Sequence, residues 1–361
     1  MWLEEADPSP PPIAFTDTDP HSICYTSGTT GFPKGAVLTH ANVVIGTHDY
    51  SVSNVGYTRD DVFLNPTPLC HRAGWARLIQ SIGVGAPQVL LRKFDPERVF
   101  DLVARHRVTM SGFIPTMVRL MAEYRTKADV SSMRILLTTG EACPPATKAT
   151  IFELFPSVEL VMSFASTEAG IMALLSSKDE RAPQSATGRP LPEVELRTEG
   201  EDSEIAIRTG APGTGGVMLE YWNDPEANDT AFDGDWFRTG DCGHLDENGY
   251  LFVTDRKKDM ILTGGLNVYS KEVESCLLAH PDVVEAAVIG KADPVYGEAV
   301  VAFAVRRGDA LTETALVEHV KKHLASYKKP KEIRFVDALP HNTAGKILKY
   351  ELRKKLEEKP S

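Results

Sequence analysis

The sequence predicts an α/β protein that combines a mostly parallel sheet with flanking helices, a small antiparallel β-barrel-like subdomain and a C-terminal α+β domain. Residues 22–185 alternate apolar strand-like segments with amphipathic helical ones, which is typical of parallel strands joined by helices. Residues 186–257 instead alternate polar and apolar side chains, as half-exposed strands do. Residues 258–361 mix the two patterns, which indicates a compact α+β unit.

In residues 22–185, the helices are predicted from the residue types that commonly begin a helix. Asp95 is an N-cap residue and Pro96 occupies the first turn of an amphipathic helix, while Thr39 is placed to cap an earlier one. Helices are predicted to begin near residues 42, 96, 116 and 145. Strands are predicted at residues 23–25, 62–65, 88–91, 109–114, 134–137 and 160–163.

In residues 186–361, the strands are predicted from alternating polar and apolar residues and from turn sequences between them. Strands of the second part are predicted at residues 193–197, 204–208, 217–220 and 250–254, the last following a turn at residues 246–249. In the third part, strands are predicted at residues 283–289, 300–305 and 333–336. Helices are predicted from Ser270, over residues 312–324 and after Gly345.

Composition narrows the class of protein. The 361 residues carry a net charge of −11, which disfavours nucleic acid and anionic membrane surfaces as partners. Residues 1–21 read as a flexible lead-in without a signal-peptide pattern, and no apolar run is long enough for an integral membrane segment. Five scattered cysteines without a C-x-x-C pair argue for a reducing, cytoplasmic location and against a disulfide frame or zinc site.

One close histidine pair, His319 and His323, invites a metal-site interpretation. Val320 stands where a zincin motif needs glutamate, and Lys321 and Lys322 flank the pair. A solvated helix face is therefore favoured over a metal site.

An eleven-residue string, from Tyr25 to Gly35, is the densest chemical signal in the chain. It holds three glycines, five hydroxyl groups and Lys34. Glycines let backbone N–H groups approach an anion closely, hydroxyls add donors, and lysine adds a mobile positive charge. A polyphosphate site is favoured over a surface loop that binds nothing. A Walker loop does not fit, because Lys34 follows Pro33 and precedes Gly35.

This string resembles the phosphate loop of the adenylate-forming (AMP-binding) superfamily, which includes acyl-CoA synthetases, luciferases and adenylation domains. Further motifs follow in the family's order and span nearly the whole chain. They are the segments 66–71, 139–143, 163–168, 236–241, 255–261, 263–268 and 339–347. In the family's Tyr-Gly-x-Thr-Glu motif this chain has Phe164 and Ala165 in place of Tyr-Gly, which keeps a stacking face and loses a hydroxyl.

The resemblance implies roles for individual residues. Lys346, Lys34 and Glu168 would be catalytic, and Glu168 and Thr26 would hold Mg²⁺. Asp241 would accept the ribose hydroxyls and Arg256 would touch ribose or phosphate. The remaining ATP or AMP contacts would come from Ser27, Gly28, Thr29, Thr30, Gly31, Gly140, Glu141, Ala142, Ser163, Phe164, Ala165, Ser166 and Thr167.

A second group of residues is implied to serve the acyl and coenzyme A side. It comprises His71, Gly264, Gly265 and Leu266. A loop histidine that merely packs is an equal alternative for His71. Lys258 falls where the family places its hinge, about which a mobile C-terminal domain of residues 258–361 would rotate against an N-terminal domain of residues 22–257.

The function implied is an ATP-dependent carboxylic acid–CoA ligase, with a fatty or other hydrophobic acid as the expected substrate. ATP, Mg²⁺ and coenzyme A would be its co-substrates, and homodimerisation is left open. Two alternatives remain: an enzyme that loads a carrier protein, and a catalytically silent nucleotide-binding remnant. Relatives usually carry a subdomain before the phosphate loop, so a fragment, a truncated product and a naturally short member all stay open.

Overall fold

The computed structural model describes residues 9, 13–26, 33–124, 126–140, 143, 145–200, 202–342 and 347–357. Within those ranges, no helix combines the length and the apolar character needed to cross a bilayer. All five cysteines belong to the described residues and carry free thiols.

Twenty strands are present in the described part of the chain. They are β1 (Pro20–Thr26), β2 (Lys34–Thr39), β3 (Phe63–Asn65), β4 (Gln88–Leu90), β5 (Met110–Gly112), β6 (Ile135–Thr138), β7 (Glu159–Ser166), β8 (Gly170–Ser176), β9 (Arg189–Pro190), β10 (Glu195–Glu199), β11 (Glu204–Arg208), β12 (Glu220–Tyr221), β13 (Phe232–Asp233), β14 (Trp236–Leu245), β15 (Leu251–Arg256), β16 (Ile261–Thr263), β17 (Leu266–Val268), β18 (Val283–Asp293), β19 (Gly297–Arg306) and β20 (Glu332–Phe335).

The α-helices in the same ranges are α1 (Tyr50–Val55), α2 (Arg72–Val84), α3 (Pro96–His106), α4 (Pro115–Ala122), α5 (Pro145–Leu154), α6 (Pro225–Ala231), α7 (Ser270–Leu278), α8 (Glu313–His323) and α9 (Lys349–Glu357). A π-helical segment, Asn42–Asp49, leads into α1. The predicted Thr39 cap is confirmed, since the Thr39 hydroxyl accepts the Asn42 backbone N–H at 3.1 Å. The Asp95 cap is confirmed as well, since its carboxylate accepts the Arg98 N–H at 3.1 Å.

A seven-stranded sheet, in the order β4-β3-β5-β6-β7-β8-β9, forms the centre of the first part. Strands β3 to β7 are parallel, and β8 and β9 continue the sheet antiparallel. Leu64, Leu136 and Leu160 pack with α3, α4 and α5 on one face, whereas Phe63 and Ile135 pack with Tyr57, Val52 and Val84 on the other. The predicted α/β architecture is therefore confirmed, with parallel strand ends meeting at one edge.

The second part contains a five-stranded antiparallel sheet in the order β10-β11-β14-β13, with β15 also paired to β14. The predicted strand at residues 217–220 is wrong as a member of this sheet. The Met218 N–H donates to the Glu168 carbonyl at 2.7 Å and the Leu219 N–H to the Val37 carbonyl at 2.9 Å. As a result, β12 pairs with β2 in a three-stranded sheet, β1-β2-β12.

The third part is an α+β unit built on a sheet in the order β17-β16-β19-β18, with β20 parallel to β19. Its core is formed by apolar side chains from α7, α8 and the sheet, among them Val273, Leu277, Val288, Leu316 and Val320. Helix α8 begins at a Thr312 cap, whose hydroxyl accepts the Ala315 N–H at 3.2 Å.

Candidate functional site

Three side chains converge beside the β1–β2 hairpin. The Tyr221 hydroxyl donates to Glu168 Oε1 at 3.0 Å. The Lys34 ammonium lies 5.1 Å from the centroid of the Tyr221 ring. Lys34 opens β2, and its Cα partner across the hairpin is Thr26. A carboxylate and an ammonium are thus held on two sides of one buried tyrosine.

Backbone pairing explains this convergence. Tyr221 faces Ala36 in the β12–β2 pair, close to Lys34 along the same strand β2. Glu168 lies on the turn between β7 and β8, and its carbonyl accepts the Met218 N–H. Segments that are distant in sequence are therefore locked together by main-chain hydrogen bonds before any side chain is considered.

Arg72 supports the turn that carries Glu168. Its guanidinium donates to the Thr167 carbonyl and, at 3.4 Å, to the Thr47 hydroxyl. Burial lowers the pKa of Arg72 to about 10, while the charges of Cys24 and Glu168 act in the opposite direction. At neutral pH this buried cation keeps its proton and fixes the position of the turn.

Two motif segments meet where β6 ends beside the middle of β7. The Thr139 hydroxyl donates to the Ser163 carbonyl at 3.3 Å, and the Ser163 hydroxyl donates to the Thr138 carbonyl at 3.4 Å. Gly140 follows with a φ of 88°, in the left-handed region that favours glycine. The structure thus brings Gly140 and Ser163 to one strand-end edge, where open α/β sheets bind ligands.

The β7–β8 pairing shifts register between Phe164 and Ala165. Phe164 is partly buried and packs against the apolar cluster that also contains Tyr221. Ser166 accepts the Ala169 N–H at 3.1 Å and so closes the turn that presents Thr167 and Glu168. The stacking role expected of Phe164 stays a prediction.

Asp241 and Arg256 are cross-strand partners in β14 and β15. Their Cα atoms are in register, and Arg256 Nε lies 3.4 Å from Asp241 Oδ1. Gly240 has a φ of 71°, and the Asp241 N–H donates to the Thr239 hydroxyl at 3.1 Å. This turn holds the carboxylate in one orientation, as a ribose-binding group requires.

One electrostatic relation connects the two groups of residues, which are expected to serve a single nucleotide site. Burial, followed by the neighbouring Glu168 carboxylate, raises the pKa of the Tyr221 hydroxyl, whereas the Arg256 charge acts to lower it. Arg256 is therefore close enough to act on Tyr221 through its field.

The segment around Lys258 is tied to the last helix. Residues Lys257–Asp259 form a 3₁₀ turn between β15 and β16. Arg353 on α9 binds the Asp259 carboxylate at 2.7 Å and reaches the Lys258 carbonyl at 3.5 Å. Burial would raise the pKa of Asp259, but Lys349 and Arg353 outweigh it and hold that pKa below its usual value.

The residues expected on the acyl and coenzyme A side occupy two places. Gly264 and Gly265 have φ values of 58° and 78° and form the two-residue turn between β16 and β17. Leu266 follows the turn and is 48 % exposed. His71 is the N-cap residue of α2, and burial lowers the pKa of its imidazole.

Several expected site residues lie outside the described residues. They are Ser27, Gly28, Thr29, Thr30, Gly31, Glu141, Ala142 and Lys346. Their expected roles stay predictions.

Sequence reasoning missed Tyr221 and Arg72. Tyr221 directly follows residues 217–220, which the sequence predicts as a barrel strand, so the sequence pattern does not indicate its contact with Glu168. Arg72 stands beside His71, and a signal was available: the small and apolar residues Ala73, Gly74 and Trp75 follow this cation directly. A buried cation usually needs polar partners. An arginine in such surroundings therefore predicts hydrogen bonds from its guanidinium to nearby backbone carbonyls.

The described donors fit a magnesium nucleotide. Glu168 offers a carboxylate whose Oε2 lies outside the Tyr221 hydrogen bond, and hard cations such as Mg²⁺ prefer oxygen ligands. Lys34 and Arg256 carry positive charge that suits phosphate groups, and Asp241 offers a carboxylate acceptor that suits sugar hydroxyls.

Comparisons with known proteins agree with this chemistry. The family model described as AMP-binding enzyme matches residues 2–220, and the AMP-binding enzyme C-terminal domain matches residues 272–346. A long-chain-fatty-acid–CoA ligase of Mycobacterium tuberculosis is 36% identical over 97% of this chain and 70% of its own length. An indoleacetate–CoA ligase of Aromatoleum aromaticum is 37% identical over 92% of this chain and 67% of its own.

A solved structure of a coenzyme A synthetase has the same fold as this chain. The O-succinylbenzoate coenzyme A synthetase of Bacillus subtilis, in complex with ATP and magnesium ion, superimposes with a TM-score of 0.85 at 31% identity. The match covers 99% of this chain and 74% of that one.

Proposed function

Because the chain belongs to the AMP-binding enzyme family, we propose that it is an ATP-dependent ligase that joins a small carboxylic acid to coenzyme A. The acid first reacts with ATP to give an acyl-adenylate and pyrophosphate. The thiol of coenzyme A then displaces AMP and forms the thioester. The two family-model matches confirm the family resemblance inferred from the sequence, and the two relatives described above are acid–CoA ligases.

The observation that carries this proposal is the junction of Lys34, Tyr221 and Glu168. Adenylate formation brings a carboxylate against an α-phosphate that is itself anionic, so a site must supply positive charge. The junction holds an ammonium and a carboxylate within reach of one tyrosine ring, next to the loop between β1 and β2. Arg256 adds a second cation on the side of Asp241.

Each charged group has a distinct task in the proposed reaction. Lys34 stabilises the departing pyrophosphate, and Lys346 bridges the carboxylate and the α-phosphate. Asp241 holds the ribose and so fixes the distance between the α-phosphate and the acid. Mg²⁺ bound through Glu168 and Thr26 would neutralise phosphate charge.

The acid is proposed to be hydrophobic, as in fatty acid metabolism. Support comes from relatives whose named acids, a long-chain fatty acid and indoleacetate, join a carboxylate to an apolar body. The acidic composition and the free thiols support a cytoplasmic location.

A hinge at Lys258 is proposed to serve the second step, with units of residues 22–257 and 258–361 on either side. The support is local: Lys258 lies in a short turn between β15 and β16, and the Gly264–Gly265 turn follows directly. Rotation about this point would carry that glycine turn toward the pantetheine path.

The experiment is ATP–pyrophosphate exchange with a panel of acids: short and long fatty acids, aryl acids and a dicarboxylic acid. The proposal predicts acid-dependent exchange that is strongest for an apolar acid, followed by thioester formation with coenzyme A. A carrier protein is supplied in parallel as the competing acceptor. Exchange with transfer only to the carrier would replace the ligase assignment, and absence of exchange with every acid would indicate a silent nucleotide-binding protein.

A further inference from the structure

A sulfur atom and two imidazoles lie together between α7 and α8, in the C-terminal unit. Cys276, His319 and His323 each offer a ligand atom, and these three atoms lie within 4.8 Å of one another. The two histidines are one helical turn apart on α8, and their ring centroids are separated by 4.5 Å. Cys276 projects from α7 and is 9 % exposed, whereas His323 lies at the surface.

Backbone carbonyls orient both imidazoles. One His319 ring nitrogen, Nε2, lies 3.0 Å from the Cys276 carbonyl oxygen, and His323 Nδ1 lies 2.8 Å from the His319 carbonyl oxygen. Because a carbonyl oxygen can only accept, each of these nitrogens must carry the proton. The opposite nitrogen of each neutral ring, Nδ1 of His319 and Nε2 of His323, is then an unprotonated donor of an electron pair.

This pattern is the one that metal-binding histidines show. Ligating histidines almost always donate the other ring N–H to a carboxylate, a backbone carbonyl or water, which fixes the tautomer. Here both outer contacts are in place, and the Cys276 sulfur lies within 4.8 Å of a ring nitrogen of each histidine. We propose that Cys276, His319 and His323 form a binding site for a divalent transition metal of the Zn²⁺ type, separate from the nucleotide site.

The distances allow coordination after a small adjustment. Zinc–ligand bonds of roughly 2.0–2.3 Å place the ligand atoms of a tetrahedral site about 3.5 Å apart. Coordination therefore requires the three ligand atoms, which lie within 4.8 Å of one another, to move closer together, and His323 is the most exposed of the three residues. One thiolate and two imidazoles suit Zn²⁺, whereas Mg²⁺ prefers oxygen ligands.

His280 borders the cluster without belonging to it. Its ring meets that of His319 edge-on, with centroids 5.1 Å apart. Its Nδ1 accepts the Asp282 N–H at 3.2 Å, so the electron pair of that nitrogen is already engaged and the proton of the neutral ring lies on Nε2. The site therefore has three protein ligands and a fourth position for water.

A metal bound by these three residues would connect two helices of the C-terminal unit. Cys276 lies on α7, the two histidines lie on α8, and these helices pack together on the sheet of the C-terminal unit. Neither helix carries a residue of the proposed nucleotide site. A metal bound here stabilises this unit and leaves the reacting groups untouched.

The test is Co²⁺ titration of the purified full chain, reduced and stripped of metal by a chelator. The proposal predicts one Co²⁺ per chain, visible bands of a tetrahedral site and a near-ultraviolet thiolate-to-cobalt charge-transfer band. Zn²⁺ should displace Co²⁺, and a large excess of Mg²⁺ should not. Cys276→Ser should abolish the charge-transfer band. His323→Gln should weaken Co²⁺ binding by at least about tenfold, since even outer contacts of metal ligands are worth that much.

Two matched controls separate this site from incidental binding. His280→Gln alters the neighbouring ring, and Cys70→Ser removes an exposed thiol that stands next to His71. Both variants should keep the charge-transfer band. Circular dichroism establishes folding, and His323→Gln, at the surface, keeps the test valid if Cys276→Ser fails to fold. The proposal is overturned if saturating Co²⁺ gives no charge-transfer band, if that band survives in Cys276→Ser, or if either control variant loses it.

Discussion

The Tyr221 hydroxyl donates a 3.0 Å hydrogen bond to Glu168 Oε1 and so joins two segments that are 53 residues apart in sequence. Tyr221 sits on β12, which pairs with the strand that begins at Lys34. One tyrosine thus sets the position of a carboxylate that is proposed to bind metal and contacts a lysine that is proposed to bind phosphate. In this account Tyr221 positions Glu168 and does not itself react.

Tyr221→Phe should lower the rate of adenylate formation. The change removes a hydrogen bond to a carboxylate, which is worth roughly 1.5–3 kcal/mol, so kcat/KM for pyrophosphate exchange should fall by about tenfold or more. The Mg²⁺ concentration needed for half-maximal exchange should rise, because Glu168 loses its fixed orientation. The measurement is exchange as a function of Mg²⁺ concentration.

The chain supplies a matched control in Tyr57. Its hydroxyl is also buried, and it has no hydrogen-bond partner among the described residues. Tyr57→Phe should therefore leave exchange and its Mg²⁺ dependence unchanged, and the fold should be at least as stable. If the two variants behave alike, Tyr221 has no special relation to Glu168.

Asp241→Ala should weaken ATP binding. The substitution removes a charged acceptor for two ribose hydroxyls, an effect on the order of 2 kcal/mol. The comparison ligand is 2′,3′-dideoxy-ATP, which lacks those hydroxyls, and its binding should change little. Equal weakening of both nucleotides in equilibrium titrations would show that Asp241 acts through Arg256 or the fold and does not contact the ribose.

The hinge proposal predicts an asymmetry between the two half-reactions. Lys258→Pro fixes φ near −65° and restricts Lys257 as well. Pyrophosphate exchange and thioester formation from supplied acyl-adenylate are measured separately, and one of them should survive while the other collapses. Lys258→Ala should do much less damage, since the backbone and not the side chain changes. A folded proline variant that loses both activities in proportion would argue against a hinge here.

Asp61 should make stability depend on pH in the acid range. Burial acts to raise the pKa of its carboxyl, but hydrogen bonds from Arg134, Thr109 and the Thr58 backbone outweigh it and lower that pKa below 3.8. Arg134 Nη2 lies 2.7 Å from Asp61 Oδ2. A lowered pKa in the folded state means stability that is fully present above pH 3.8 and is lost as pH falls through the folded value.

The Asp61→Asn variant tests whether Asp61 makes the stability of the fold depend on pH. The variant should be less stable at neutral pH by roughly 1.5–3 kcal/mol, because a hydrogen-bonded charge is removed. Its melting temperature should also vary less than that of the wild type between about pH 5 and pH 2. Parallel pH curves for the two proteins would show that Asp61 is not the group that titrates.

Much of the fold was predictable because local signals agreed with the tertiary structure. The Asp95–Pro96 start signal and the apolar strands 62–65 and 134–137 each appear within a residue or two of their predicted places. The same pair of residue types, Asp224 and Pro225, begins α6, but no helix was predicted there. The strand predicted at residues 217–220 was assigned to the wrong sheet. Alternating polar and apolar residues indicate that one face of a strand is buried, but they do not indicate which other strand it pairs with.

The candidate site was predictable where the residues form continuous motifs. Asp241, Arg256, Gly140 and Ser163 could be named because a dense string of unusual residues carries its own signal. Tyr221 could not, because its role depends on a contact across 53 residues. The solvated face that the sequence favours for His319 and His323 stays a prediction, and the metal site proposed there depends on Cys276, which lies 43 residues before His319.

The central claim is that one site forms an acyl-adenylate and then a thioester, with Lys346 needed only for the first step. The most direct measurement compares both half-reactions in wild type and Lys346→Ala, with an acid that supports exchange. We expect the variant to fold, to lose pyrophosphate exchange and still to convert supplied acyl-adenylate and coenzyme A to thioester. Equal loss of both half-reactions in the folded variant would contradict it.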